Sequence, residues 1–213
     1  MAKINAFESG VNEYEEWFEK YHWVYESELD AVRKLLPGGG IGVEIGVGTG
    51  RFAERLGITF GIEPSGAMRA VAQKRGIRVI DGVAEALPLR DDQYDYVLLV
   101  TTICFLDSLE EALKESNRIL KSNGKIIIGF IDKNSSLGKK YEKGKHKSKF
   151  YKDAIFYSAE GVVENLTDAG FYDFTFVQTI FNDPEKITSK EPVKEGYGEG
   201  SFVVISGKKA DFS

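Results

Sequence analysis

The chain has 213 residues, 42% hydrophobic and 12% aromatic, which suits one folded domain and excludes a disordered chain. A net charge of −5 argues against a dedicated nucleic-acid binder, and a single cysteine, Cys104, excludes an intrachain disulfide or a cysteine-rich zinc site. No apolar run is long enough to span a membrane and no secretory signal opens the sequence, so a cytoplasmic, metal-free protein is expected.

Residues 14–25 are dense in aromatics (Tyr14, Trp17, Phe18, Tyr21, Trp23, Tyr25) and read as helix packed on the domain. Residues 27–36 set Leu29, Val32, Leu35 and Leu36 on one helical face, and Pro37-Gly38-Gly39-Gly40 stops them. A short strand over 41–45 runs into a glycine turn and a brief helix near 50–56, closed by Gly57. A second strand covers 58–62. Ser65 caps the next helix, which ends at Gly76, and 77–80 form a third strand. Residues 94–100 are a strongly apolar fourth strand, and Ser108 with Glu111 makes a capping box for the helix that follows. Residues 125–131 are the fifth strand, Ser158 caps a helix reaching Gly170, and 174–181 and 201–207 follow as two strands without a helix between them. Continuous apolar strands separated by helices indicate a parallel sheet covered on both faces, and the final pair indicates an antiparallel end. The expected fold is a doubly wound, Rossmann-like α/β domain over 1–213, with seven mostly parallel strands and an antiparallel last strand.

Chemistry concentrates at Val43-Glu44-Ile45-Gly46-Val47-Gly48-Thr49-Gly50, where the first strand meets the first helix. Glycines there let the backbone turn sharply and let a ligand lie against the main chain. Glu63 closes the second strand thirteen residues after Gly50, where a carboxylate can accept two hydrogen bonds from a ribose diol.

The glycine turn, Gly61-Ile62-Glu63-Pro64-Ser65 with Met68, Gly82-Val83-Ala84-Glu85-Ala86-Leu87-Pro88, Tyr94-Asp95-Tyr96-Val97 and Arg118-Ile119-Leu120-Lys121-Ser122-Asn123-Gly124 stand in one order along the chain. In that order the sequence resembles the class I S-adenosylmethionine (SAM)-dependent methyltransferases, close to their small-molecule subgroup. The resemblance implies SAM as cofactor, S-adenosylhomocysteine (SAH) as product and a small-molecule methyl acceptor. It further implies that Gly46, Val47, Gly48 and Gly50 lie under the methionine part, with Glu44 near its ammonium group. Glu63 would bind the ribose, Pro64 and Met68 would border the adenine, and Val83, Ala84 and Glu85 would line its edge. Thr101 would approach the methionine moiety or the acceptor. The family often has aspartate at the position of Val83 and Pro-Gly-Gly at Ser122-Asn123-Gly124.

In the resembling family residues 1–36 would form a helical flap, and Tyr14, Trp17 and His22 are the candidate acceptor-pocket residues. No side chain declares itself as a general base. Segments 132–157 and 182–200 should join the flap at the C-terminal edge of the sheet. Residues 132–153 hold eight lysines against three acids, and they read either as a solvated mobile loop or as a lid receiving an anionic acceptor. Competing functions are a non-catalytic module that holds SAM or SAH, an RNA methyltransferase using the basic segment, and a nicotinamide-dependent oxidoreductase. The last would more naturally carry G-x-G-x-x-G than the G-x-G-x-G found at Gly46, Gly48 and Gly50.

Overall fold

The structure, a computed structural model, describes residues 4–210. Its centre is one sheet built from β1 (Gly42–Ile45), β2 (Phe60–Ile62), β3 (Arg78–Ile80), β4 (Tyr94–Val100), β5 (Leu120–Ile131), β6 (Phe171–Thr179), β7 (Lys194–Glu195) and β8 (Phe202–Lys209). The strand order is β3-β2-β1-β4-β5-β8-β6-β7, with β1 to β5 parallel. β8 runs antiparallel to both β5 and β6. The last long strand is therefore antiparallel as expected, but it is wedged inside the sheet and not at its end. The sheet also has eight strands and not seven, because the two-residue β7 pairs with β6 at Val177↔Glu195 and Gln178↔Lys194. So short a strand leaves no periodic signal in the sequence.

Successive side chains of a strand point to opposite faces, and here both faces are dry. Val97 and Leu99 of β4 with Ile126 and Ile128 of β5 pack under α6 (Leu109–Ile119) and α8 (Ala159–Asp168) through Leu113, Ile119, Val162 and Leu166. Leu98 and Ile127 face the other way, against α3 (His22–Leu35), α4 (Arg51–Leu56) and α5 (Gly66–Lys74) through Leu29, Val32, Phe52 and Ala72.

Three helix starts behave as the sequence indicates. Ser65, Ser108 and Ser158 accept hydrogen bonds from the amides of Met68, Glu111 and Gly161. The reciprocal half of the expected capping box is absent among the described residues. Glu111 reaches Lys114, and the Ser108 amide instead donates to Glu85 Oε1 at 3.3 Å.

Two further regions sit over the C-terminal ends of β1, β2 and β4. The first is α1 (Asn5–Ser9), α2 (Val11–Lys20) and the start of α3, which begins at His22, five residues before the expected helix. Glu15 of α2 accepts from Arg51 and Arg75 (Nη2 to Oε2 2.7 and 2.6 Å), which fastens α2 to α4 and to the end of α5. Burial raises the Glu15 pKa, but hydrogen bonds from those arginines outweigh it and hold the group below the ordinary carboxylate range. The second region is the lysine-rich segment, whose first part is α7 (Ser136–Gly144), capped by Ser135.

Candidate active site

The strand ends, α1, α2, α3, α7 and the residues after α7 enclose a cavity of about 230 Å³. Its floor is the glycine turn. Gly46, Gly48 and Gly50 have φ of +70°, +56° and +84°, a left-handed run that residues with a Cβ adopt only at a cost. Gly46 and Gly48 lie on the cavity wall, whereas Gly50 packs beneath it, close to Ala72 and Ile77.

Glu63 is buried at the end of β2 and forms part of the wall. Its Oε2 accepts from Gly48 N–H and its Oε1 from Ser65 N–H, both at 2.9 Å, so it ties the glycine turn to the start of α5. Burial pushes its pKa up, against those two amides and the nearby Arg69. Each carboxylate oxygen keeps a lone pair for a ligand hydroxyl. That spare capacity, beside glycines that expose their main chain, fits an adenosyl ligand with a ribose diol.

At the end of β4 two threonines do different work. Thr101 lines the cavity with φ at +52°, a sparsely populated conformation for a β-branched residue. Thr102 Oγ1 donates to backbone carbonyls, with Val100 O at 3.0 Å and Ile45 O at 3.3 Å, and so fastens β4 to the glycine turn. A methyl group on Gly46 would overlap Thr102 Cγ2. Gly46→Ala is therefore expected to destabilise the fold by roughly 2–4 kcal/mol, the sum of a left-handed alanine and an overpacked contact. Urea unfolding measures this, and an unchanged midpoint would mean that the turn is not held by that contact.

The roof is aromatic. Phe7 of α1 meets Phe105 at 4.9 Å and Phe150 at 5.4 Å between ring centroids, and Tyr14 of α2 meets Phe18 at 5.1 Å. Tyr141 of α7 stacks on Tyr151 at 5.1 Å, which stacks on Phe105 at 5.5 Å. Among the described residues the lysines of 132–153 do not line the cavity. They face outward, with Lys149 paired to Glu13 and Lys140 to Asp183. The segment thus presents rings inward and charge outward, which removes the basis for an anionic acceptor drawn by those lysines.

Of the residues singled out in the sequence, Gly46, Gly48, Glu63, Pro64, Met68, Val83, Ala84, Glu85, Thr101, Tyr14 and Trp17 converge on this cavity. Glu44, Val47, Gly50 and His22 do not. Glu44 is buried under the turn, where desolvation keeps its pKa well above the usual range and its Oε2 has no hydrogen-bond partner among the described residues. Val47 packs against Gly61, and His22 is exposed beside the Trp23 ring. Of segment 182–200 only Pro184 reaches the wall; Glu191 and Lys190 instead engage α3 at Ser27 and Asp30.

Sequence reasoning missed Glu28, Thr102, Tyr141, Phe150 and Tyr151, all of which line the cavity. Glu28 had a signal: it lies four residues before Val32 and seven before Leu35, on the apolar stripe of α3. It is 5% exposed, and desolvation raises its pKa to about 8.

With this geometry in view, the comparisons are direct. The methyltransferase domain family matches residues 43–128. A crystal structure from Thermotoga maritima, described as a SAM-dependent methyltransferase and possible histamine N-methyltransferase, is 55% identical, with a TM-score of 0.94 over 96% of this chain and 98% of that one. An uncharacterized protein of Methanocaldococcus jannaschii is 47% identical over 97% of this chain and 100% of its own length. A phosphoethanolamine N-methyltransferase from Haemonchus contortus, holding phosphomonomethylethanolamine and SAH, is 16% identical and shares the fold at a TM-score of 0.64 over 91% of this chain and 57% of that one. The chain belongs to the SAM-dependent methyltransferase family, and SAM is its cofactor.

Proposed function

We propose that the protein is a catalytically active methyltransferase whose acceptor is a small molecule bound between the glycine turn and the aromatic roof. The observation that carries this reading is the shared cavity: the floor fits the cofactor, and the same wall continues into apolar rings that suit a compact organic acceptor. When bound, SAM supplies a methyl group already activated on a sulfonium. Gly46 and Gly48 would hold the methionine part against the main chain, Glu63 the ribose hydroxyls, and Pro64, Met68, Val83 and Ala84 the adenine. Phe7, Tyr14, Trp17, Phe105 and Phe150 would align the acceptor and exclude water.

Calorimetry of the purified protein against SAM, SAH and NAD tests the cofactor half, with binding of the first two and not the third expected. Tight NAD binding without a response to SAM would reject the reading. Transfer of a labelled methyl group to a panel of small acceptors tests the other half, with histamine included because of the Thermotoga neighbour. Retention of the label on SAM with every acceptor, despite binding of SAM, would favour a binding module.

Residues 4–36 and 132–157 would act as a flap and a lid over this cavity; residues 1–3 of the expected flap lie outside the described residues. Trypsin is expected to cut first within 139–152, where lysines are exposed. SAH together with an acceptor should slow that cut more than SAH alone; an unchanged rate would make the segment a fixed wall.

A further inference from the structure

Glu28 lies in the middle of α3, and its side chain forms part of the cavity wall. It is 5% exposed and makes no hydrogen bond or ion pair with any described residue. A buried carboxyl without a partner is costly, and proteins normally satisfy such groups. A leucine or glutamine would complete this helix face at lower cost. The retained carboxyl therefore points to a partner that arrives from outside.

The surroundings say which charge that partner carries. Every other charged residue on the wall is acidic, Glu13, Glu63, Glu85 and Asp107, and of these Glu13 is paired with Lys149. The phenols of Tyr14, Tyr141 and Tyr151 line the same cavity as Glu28. Burial first pushes their ionisation up, and the Glu28 charge adds to it, directly after burial for Tyr141, behind Glu63, Glu44 and Glu15 for Tyr14, and behind Tyr141 and Cys104 for Tyr151. All three stay neutral. Ring faces attract cations, and more strongly in a desolvated site. An anionic acceptor would meet repulsion from the acids and gain nothing from the rings.

We propose that the roofed part of the cavity receives a primary or secondary amine, its nitrogen held at Glu28 and its apolar body among the rings of α2 and residues 141–151. The inference rests on the methyltransferase reading and assigns that site its acceptor class. The amine enters as an ammonium ion and pairs with the Glu28 carboxylate. One proton then passes from nitrogen to the carboxylate, leaving a neutral amine and a neutral acid. The nitrogen lone pair forms the new N–C bond while the methyl carbon's bond to sulfur breaks and its electron pair stays on sulfur. The positive charge moves from the sulfonium to the methylated ammonium, so charge is conserved.

Burial keeps the Glu28 carboxyl protonated at neutral pH. Docking of an ammonium ion must then expel that proton, which gives a readout independent of turnover. The full-length protein, saturated with SAH at pH 7, is titrated by calorimetry with 2-phenylethylamine, tyramine and tryptamine. Phenylethanol and 3-phenylpropionate serve as uncharged and anionic counterparts, and two buffers of different ionisation enthalpy give the proton count. At least one amine should bind tighter than both counterparts and release close to one proton. Glu28→Gln should weaken that amine about 10- to 100-fold, as expected for a lost charge-assisted contact, and abolish the proton release with SAH affinity unchanged. The proposal is overturned if no amine binds the SAH-loaded protein, if a counterpart binds as tightly, or if Glu28→Gln changes neither affinity nor proton count. Failure to bind SAH at the outset is a separate result and would overturn the methyltransferase reading itself.

Discussion

Glu63→Ala is expected to weaken SAH binding by about 10²- to 10⁴-fold, the loss of two charge-assisted hydrogen bonds to a ribose diol at roughly 1.5–3 kcal/mol each. The same substitution leaves the Gly48 and Ser65 amides without their carboxylate acceptor, so the glycine turn loosens as well. Glu63→Gln is the milder change: it removes the charge and keeps one acceptor oxygen, so one of the two amides stays satisfied while the other meets an NH2 group. Glu85→Ala is the contrast. Glu85 Oε1 is already taken by the amides of Asp107 at 2.8 Å and Ser108 at 3.3 Å, so its main task is to hold the loop before α6. Its loss should cost less than tenfold in SAH affinity, on the order of 1 kcal/mol. Comparable losses in Glu63→Ala and Glu85→Ala, measured by calorimetry, would mean that the end of β2 does not bind the ribose.

Glu28→Gln should stabilise the fold at alkaline pH and leave it nearly unchanged in acid. Desolvation raises the folded-state pKa of Glu28 to about 8, above its value in an unfolded chain. The unfolded chain therefore releases this proton in a range where the folded protein still holds it. The stability Glu28 allows is complete below the unfolded value and is lost as pH rises through about 8. Between pH 5 and pH 8.5 that loss is roughly 4 kcal/mol, at about 1.4 kcal/mol per pKa unit. Glutamine cannot ionise, so the variant escapes the penalty. Glu44 is raised in the same direction and remains in both proteins, which means that the difference between them isolates Glu28. Urea unfolding at the two pH values reads the result. Parallel pH slopes for wild type and variant would show that Glu28 reaches water.

What could be read from the sequence follows the range of the interactions involved. The apolar core of β4, the serine caps and the glycine turn are set by residues within a few positions of one another, and they appear where expected. The insertion of β8 between β5 and β6 is decided by pairing between distant segments, Lys125↔Lys208 through Ile131↔Phe202, which leaves no local trace. The lysine-rich segment misled for a different reason. Eight lysines dominate any count of its charge, while the three rings that meet the cavity, Tyr141, Phe150 and Tyr151, follow no helical or strand period. Glu28 was legible in principle from its spacing to Val32 and Leu35, but a carboxylate in a helix rich in charge reads as solvent-facing until its neighbours are known.

The two halves of the cavity are made differently, and this bears on how the protein can change. Thr101 and Thr102 fix the floor at the junction of three parallel strands, where every displacement is resisted by ladder hydrogen bonds. The roof comes from short helices held by ring edges, by surface ion pairs such as Lys149 with Glu13 and, for α2, by the Glu15 pairs with Arg51 and Arg75. Surface pairs of that kind contribute only about 0–1 kcal/mol. Substitutions at Phe7, Trp17 or Phe150 can therefore redraw the acceptor's outline without touching the groups beneath the cofactor. Selection, natural or in the laboratory, has a surface on which to explore new acceptors while the methyl donor stays in register.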